Sequence, residues 1–168
     1  MTHQRLVVSA AAAALLLAFA APARADATLF LGRSRNSSAT PSAPSVSQGV
    51  KGAAFGIGLL VVGFEVEGAI HTEDPVKAVP GLKTGMGNVL VQTPTGNVQL
   101  YATAGGGLYQ ETVGTSSETN FATNIGGGIK FGVFGPLRLR ADYRLINLRG
   151  TPHYNTVQRF YLGASLKF

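Results

Sequence analysis

Residues 137–145 read LRLRADYRL, and this stretch decides the fold because apolar and polar side chains alternate along its whole length. A period of two is typical of a β-strand whose two faces meet different surroundings, since successive side chains of a strand point to opposite sides. One face carries leucine, alanine and tyrosine, whereas the other carries Arg138, Arg140, Asp142 and Arg144. The stretch therefore predicts a strand with one apolar and one charged face.

The same alternation runs through much of the chain and is again clear at its C-terminal end. From Phe160 to Phe168 every second residue is apolar, and Arg159 and Lys167 lie on the opposite face. Residues 63–71 and 121–133 also alternate, and weaker alternation marks the remaining segments. The pattern predicts eight strands, at residues 27–33, 52–59, 63–71, 85–93, 98–109, 121–133, 137–145 and 159–168.

The connections between these strands fall into two length classes that alternate. Short connections are predicted at residues 60–62, 94–97 and 134–136, and longer ones at 34–50, 72–84, 110–119 and 149–155. Tight turns at one end and longer loops at the other are typical of up-and-down β-barrels, and an even strand number brings both termini to the end with the tight turns. We therefore predict an all-β, eight-stranded antiparallel up-and-down barrel.

The residues of the polar face indicate which side of the barrel faces inward. Several of them are glycines, which give a water-facing strand no packing but make room inside a narrow barrel for long side chains: Gly56, Gly58, Gly126, Gly128, Gly132 and Gly163. The face also carries both signs of charge, and buried ions are tolerated when they are paired. We predict a charge network in the lumen, formed by Glu65, Glu67, Lys130, Arg138, Arg140, Asp142, Arg144 and Arg159.

This arrangement predicts a transmembrane barrel, with apolar side chains toward lipid and ionised ones inside. A soluble exported barrel with the opposite arrangement, binding a small apolar ligand in its lumen, remains the alternative. The expected interior of an eight-stranded barrel is filled by side chains, which favours a plugged core over a porin-like conducting channel.

The first 25 residues have the features of a secretory signal peptide. Arg5 supplies a positive charge, residues 6–20 are apolar but shorter than the roughly 20 residues of a spanning helix, and Ala23 and Ala25 form a small-x-small cleavage site. We predict a signal peptide at 1–25 and one barrel domain at 26–168.

The amino-acid composition limits what can stabilise the chain and what it can bind. The chain has 22 glycines, no cysteine and only 13% charged residues, so neither disulfides nor thiolate metal sites can hold it together. Loss of Arg5 and Arg24 with the signal peptide would lower the net charge of +6 by two. The basic residues are spread along the chain and mixed with acidic ones, so nucleic acid is not expected as a partner.

The final segment YLGASLKF, at residues 161–168, resembles the C-terminal assembly signal of the eight-stranded outer-membrane β-barrels, a family that includes the opacity proteins and the transmembrane domain of outer membrane protein A. Tyr161, Gly163, Leu166 and Phe168 are the residues of this signal. The resemblance implies a bacterial outer-membrane location, contact with outer-membrane lipid, and recognition by the barrel-insertion machinery. It also implies an internal network of acidic and basic side chains, which Glu65, Glu67, Arg138 and Arg140 fit by residue type.

Residues that could carry catalysis are few. The predicted mature chain has two histidines, His71 and His153, and no serine stands where it would complete a triad with His153. The triple glycines at 105–107 and 126–128 lack the spacing of a phosphate-binding loop. We predict no cofactor, no metal site and no enzymatic activity, and a role in envelope integrity or surface contact through external loops that could bind a surface ligand. A lipid-modifying hydrolase on the same barrel remains an alternative.

Overall fold

A computed structural model describes residues 24–37, 45–73, 79–94, 96–113 and 116–168 of the chain. These residues form eight β-strands: β1 (Arg24–Ser37), β2 (Val46–Leu59), β3 (Val62–His71), β4 (Gly81–Gln92), β5 (Val98–Val113), β6 (Ser116–Phe134), β7 (Leu137–Leu148) and β8 (Thr156–Lys167). Within the described ranges no helix is long and apolar enough to cross a membrane.

Each strand pairs antiparallel with the next, and β8 pairs antiparallel with β1, which closes the sheet into a barrel. Phe30 of β1 is a convenient marker of the closure, because it faces Gly52 of β2 on one side and Gly163 of β8 on the other. The closed, eight-stranded, up-and-down barrel predicted from the alternation is thereby confirmed. Closure leaves no unpaired sheet edge along the strands.

Strand β3 shows how the alternation divides the two faces. Phe64, Val66 and Ile70 are exposed on the outside, whereas Glu65 and Glu67 are buried in the lumen. The other strands repeat this division, and large apolar side chains cover the outer surface: Leu29, Leu31, Phe55, Val89, Leu100, Leu108, Phe121, Ile125, Leu139, Phe160, Leu162 and Leu166. The outside of the barrel is apolar and its inside is largely polar.

The first strand settles a choice that the sequence leaves open, since Leu29 and Leu31 compete there with Phe30 for the outer face. Leu29 and Leu31 are 71% and 70% exposed, and Phe30 is buried in the lumen. The aromatic ring stacks on Tyr161 with ring centroids 4.0 Å apart. Inside the lumen, Phe30 thus packs against an aromatic partner on β8.

Strands next to the longer loops extend beyond their predicted ends. The predicted connection 34–50 contains the end of β1 and the start of β2, and the predicted connection 110–119 contains the ends of the β5–β6 hairpin. At the loop-side end of β1 both faces are polar: Arg33 and Arg35 are exposed, and Ser34 and Asn36 are buried. Without an apolar face, the alternation gives no signal for a strand.

The turn between β2 and β3 is the one that the sequence marks least, and it consists of Leu60 and Val61. Leu60 has φ = 44°, in the left-handed region that favours glycine. The turn between β6 and β7 uses Gly135, with φ = 53°, for the same conformation. In the β2–β3 turn, leucine takes the conformation in which Gly, Asn or Asp is usual. The sequence therefore carries no turn signal there.

The lumen has an apolar part and a charged part. A cluster at the strand ends next to the longer loops contains Leu82, Met86, Tyr109, Ala122, Ile146, Leu148 and Val157. Charged and polar side chains fill most of the remaining length toward the short turns, beside a second apolar cluster of Phe30, Val50, Ala69 and Tyr161. The charged part contains most of the residues predicted to form a network.

Candidate functional site

The centre of the lumen holds two arginines of β7 against a glutamate on the far side of the barrel. Arg140 donates hydrogen bonds to both carboxylate oxygens of Glu65, at 2.5 and 3.3 Å, and Arg144 donates to Oε1 of Glu65 at 2.6 Å. Asp142, between them in sequence, accepts from Arg140 at 2.9 Å and from Arg144 at 3.0 Å. These contacts tie β3 to β7 although the two strands are not neighbours in the sheet.

A second acid extends the same network toward β8. Glu67 accepts a hydrogen bond from Nη2 of Arg159 at 2.5 Å and lies 3.2 Å from Nη1 of Arg144. The network thus joins three carboxylates to three guanidinium groups, all almost completely shielded from solvent. The charges balance and each group accepts or donates at least one hydrogen bond, which offsets part of the cost of burying ions, although Nε and Nη1 of Arg159 have no hydrogen-bond partner among the described residues.

Aromatic side chains complete the packing around the arginines. The hydroxyl of Tyr101 donates to Asp142 and accepts from Nε of Arg140 at 2.7 Å, and the Arg140 guanidinium lies 4.8 Å from the Tyr101 ring centre. Arg159 lies over the rings of Phe30 and Tyr161, at 5.5 and 5.4 Å. Such cation–π contacts are favourable where the cation is desolvated.

Gly128 provides the space that Tyr101 occupies. A Cβ atom at position 128 would lie 2.3 Å from the Tyr101 hydroxyl and 2.3 Å from the carbonyl oxygen of Ala141. This is the kind of close approach for which glycine inside a narrow barrel is predicted. Glycine at position 128 therefore allows Tyr101 to reach the network.

Two predicted network residues, Lys130 and Arg138, lie in the lumen nearer the short turns. Lys130 forms an ion pair with Asp26, and Arg138 donates to Oε1 of Gln99 at 3.0 Å and to the carbonyl oxygen of Gly96 at 3.4 Å. In the described ranges neither forms a salt bridge with the three carboxylates of the central network. They line a cavity of about 80 Å³ at this end of the lumen.

The sequence did not identify Asp26, Gln99 and Tyr101 as partners of the network. Asp26 lies one residue before the predicted start of the first strand, where the alternation had not yet begun. Gln99 and Tyr101 lie in a predicted strand, but a single glutamine and tyrosine carry no net charge and give no signal of pairing. Their inward phase in β5 was the only available indication.

The residues of the predicted assembly signal divide between the two faces of β8. Tyr161 is buried in the lumen, Gly163 faces the backbone and side chains of β1, and Leu166 and Phe168 are exposed outside. Their role in assembly stays a prediction. Of the predicted cleavage-site residues, Ala23 lies outside the described part of the chain, and Ala25 lies in β1, where its backbone pairs with Phe168.

Among the residues that the structure describes, His71 and His153 do not combine with a serine and an acid into a catalytic triad. His71 is buried in the lumen, where Nδ1 lies 2.9 Å from Oγ of Ser34, a contact that the sequence did not predict. His153 is exposed, its ring packs edge-on against Tyr154, and its backbone amide donates to Glu111 at 3.1 Å. Across the described ranges, no three His, Asp or Glu side chains are grouped as metal ligands are.

No protein-family model matches the chain, and no curated protein matches it. Solved structures do. The fold resembles Neisserial surface protein A, with a TM-score of 0.64, 16% sequence identity, and coverage of 86% of this chain and 95% of that one.

Two further structures have the same architecture. The N-terminal β-barrel domain of OprF from Pseudomonas aeruginosa matches with a TM-score of 0.61 and 16% identity over 86% of this chain and 97% of that one. Ail, the attachment invasion locus protein of Yersinia pestis, matches with a TM-score of 0.59 and 16% identity over 88% and 99%. The chain has the fold of the eight-stranded outer-membrane barrels. The similarity lies in the fold, since only 16% of aligned residues are identical in each case.

Proposed function

We propose that the chain is a non-enzymatic integral outer-membrane protein that serves envelope integrity or surface contact through its external loops. One observation carries the proposal: large apolar side chains are exposed all round the barrel, while three arginines and three carboxylates are enclosed within it. Soluble monomers rarely expose a contiguous apolar surface of this extent. A hydrocarbon phase is the environment in which such a surface is stable.

The same distribution argues against a soluble carrier for an apolar ligand. A carrier of that kind needs a polar outer surface and an apolar lumen, whereas here Val66 is 69% exposed and Glu65 and Glu67, on the same strand, are buried. The lumen is occupied by the side chains of the network. A small apolar ligand would have to displace the packed apolar cluster at the loop side or the ion pairs below it.

A structural role is further supported by the chemistry of the lumen. The network is neutral and fully enclosed, and its contacts join β3 to β7 and β8 across the barrel, which stiffens the scaffold below the loops. The Ser34–His71 pair is enclosed as well, with each residue 1% exposed. Rigid scaffolds commonly display their recognition residues on exposed loops.

Cell fractionation combined with gel migration tests the proposal. The protein should be recovered in the outer-membrane fraction, should migrate differently before and after heating, and should keep its strands intact under trypsin. Recovery in the soluble periplasm would contradict the proposal. The hydrolase alternative is tested separately by lipid analysis of cells with and without the protein, and by His153→Ala, for which we expect unchanged lipids.

A further inference from the structure

The outer surface has a depression where three small residues stand side by side. Ala53 of β2 faces Gly68 of β3, and Gly68 faces Gly85 of β4. All three point outward, in phase with the large apolar residues of their strands. A Cβ atom placed at Gly68 or at Gly85 would have no atom within 4 Å, so the space above this row is open.

Large apolar side chains border the depression and make it a groove. From Ala53, Gly68 and Ile70 the depression continues across β1 to β8, where Leu29, Leu31 and Leu162 line it. The depression is broad and open on its outer side. We call this depression the β2–β4 groove.

Two lysines stand at one end of the β2–β4 groove. Lys51 and Lys83 both line it, are exposed, and lie on either side of Ile70 in the strand register. Two strand spacings separate them, so their Cα atoms are about 10 Å apart, and both flexible side chains can reach one group between them. In the described ranges neither lysine forms a salt bridge.

The height of the lysines matches the edge of a membrane. Lys51 precedes Leu60, the first residue of a short turn, by nine residues. A strand that rises about 3.3 Å per residue and tilts near 40° climbs roughly 23 Å over that length, close to the apolar band of about 25 Å in barrels of this kind. The lysines therefore lie at the interface on the loop side, and the groove runs from them into the apolar band.

We propose that the β2–β4 groove binds a lipid with an anionic phosphate headgroup. Its acyl chain lies over Ala53 and Gly68, and its phosphate accepts hydrogen bonds from Lys51 and Lys83. The apolar walls commit the site to a lipid rather than a free phosphate, because a free anion would leave the groove unfilled. The inference rests on the proposed membrane location.

A local fluorescence measurement tests the site, because the chain contains no tryptophan. Val66→Trp places a single tryptophan on the outer face of β3, one outward position from Gly68, and Ile125→Trp places one on β6. Each variant is inserted into phosphatidylcholine vesicles containing brominated phosphatidylglycerol or brominated phosphatidylcholine, which quench nearby tryptophan. We expect brominated phosphatidylglycerol to quench the tryptophan at position 66 more strongly than brominated phosphatidylcholine does. At position 125 the two lipids should quench equally.

Substitution of the lysines identifies the headgroup contact. Lys51→Gln with Lys83→Gln should reduce the preference at position 66 about fivefold for each lysine, whereas Lys51→Arg with Lys83→Arg should retain it. The matched control is Arg149→Gln with Lys167→Gln, which removes two charges outside the groove. This variant should leave the lipid preference at position 66 unchanged.

Equal preference at positions 66 and 125, or a preference that survives removal of both lysines, would overturn the inference while leaving the membrane location intact. Failure of the otherwise unchanged tryptophan variants to insert into any vesicle would instead count against the proposed function itself.

Discussion

Glu65 shows what a single residue contributes to this barrel, since it accepts hydrogen bonds from both Arg140 and Arg144. Glu65→Gln would keep the shape of the side chain but leave two buried guanidinium groups short of one negative charge. Breaking a buried ion pair by removing one partner costs about 3–5 kcal/mol. We expect that loss in the free energy of unfolding, measured by urea titration of the barrel in vesicles.

The exposed Glu118 is the control for that variant, because it lies on β6 outside the lumen network. Glu118→Gln should change the unfolding free energy by less than about 0.5 kcal/mol. A similar, small effect of both substitutions would mean that the lumen charges are solvated and that the network does not hold the strands together.

Gly128 carries a second prediction at the level of the residue. Gly128→Ala should destabilise the barrel by about 1–3 kcal/mol, because its Cβ would meet the Tyr101 hydroxyl and the backbone of Ala141. Gly68→Ala is the matched control, since its Cβ meets open space. Urea titration compares the two. Equal stability of the variants would show that Tyr101 does not pack against Gly128.

Individual residues also show where sequence reasoning stops. Glu65 and Arg140 could be assigned to one face because charge recurs on it with a period of two. The partners Asp26 and Tyr101 could not be assigned, because which side chains meet across a lumen depends on the stagger of all eight strands. Alternation gives the face of a residue but not its height in the barrel.

Strand β3 allows the cost of a misplaced charge to be tested along one element. Val66 lies near the middle of the strand and Val62 next to the Leu60–Val61 turn, and both are exposed on the outer face. Val66→Arg should cost about 2–4 kcal/mol and Val62→Arg about 0–1 kcal/mol, because the penalty for arginine falls from the bilayer midplane to the interface.

The comparison of the two valine variants uses one strand, one face and one residue type, so the two positions differ chiefly in depth. Unfolding free energies in vesicles give the two values. Equal costs at both positions, or no cost at Val66, would contradict the assignment of this face to lipid.

At the level of elements, strand number and order could be predicted, whereas several strand ends could not. The alternation is strong where one face meets apolar surroundings, as in β7 and β8. It fades in the loop-side ends of β1, β2, β5 and β6, where polar residues occupy the outer face too. Alternation of apolar and polar residues thus reports apolar surroundings on one face. It ends before the backbone hydrogen bonds between the strands end.

The whole molecule is a closed cylinder with an apolar outside and an ionised inside, and both features are visible in the sequence once its period is recognised. Closure itself was inferred from strand number and loop lengths, and the pairing of β1 with β8 confirms it. The β2–β4 groove could not be predicted, because its three small residues are far apart in sequence. They meet only through the register of three strands.

Site-directed labelling tests the inside-out arrangement most directly, because the chain has no cysteine of its own. Asn124 and Ile125 are neighbours on β6, the first 5% and the second 59% exposed. In vesicles, a thiol probe confined to the hydrocarbon phase should label Ile125→Cys and leave Asn124→Cys unlabelled. Labelling of Asn124→Cys with protection of Ile125→Cys would contradict the account.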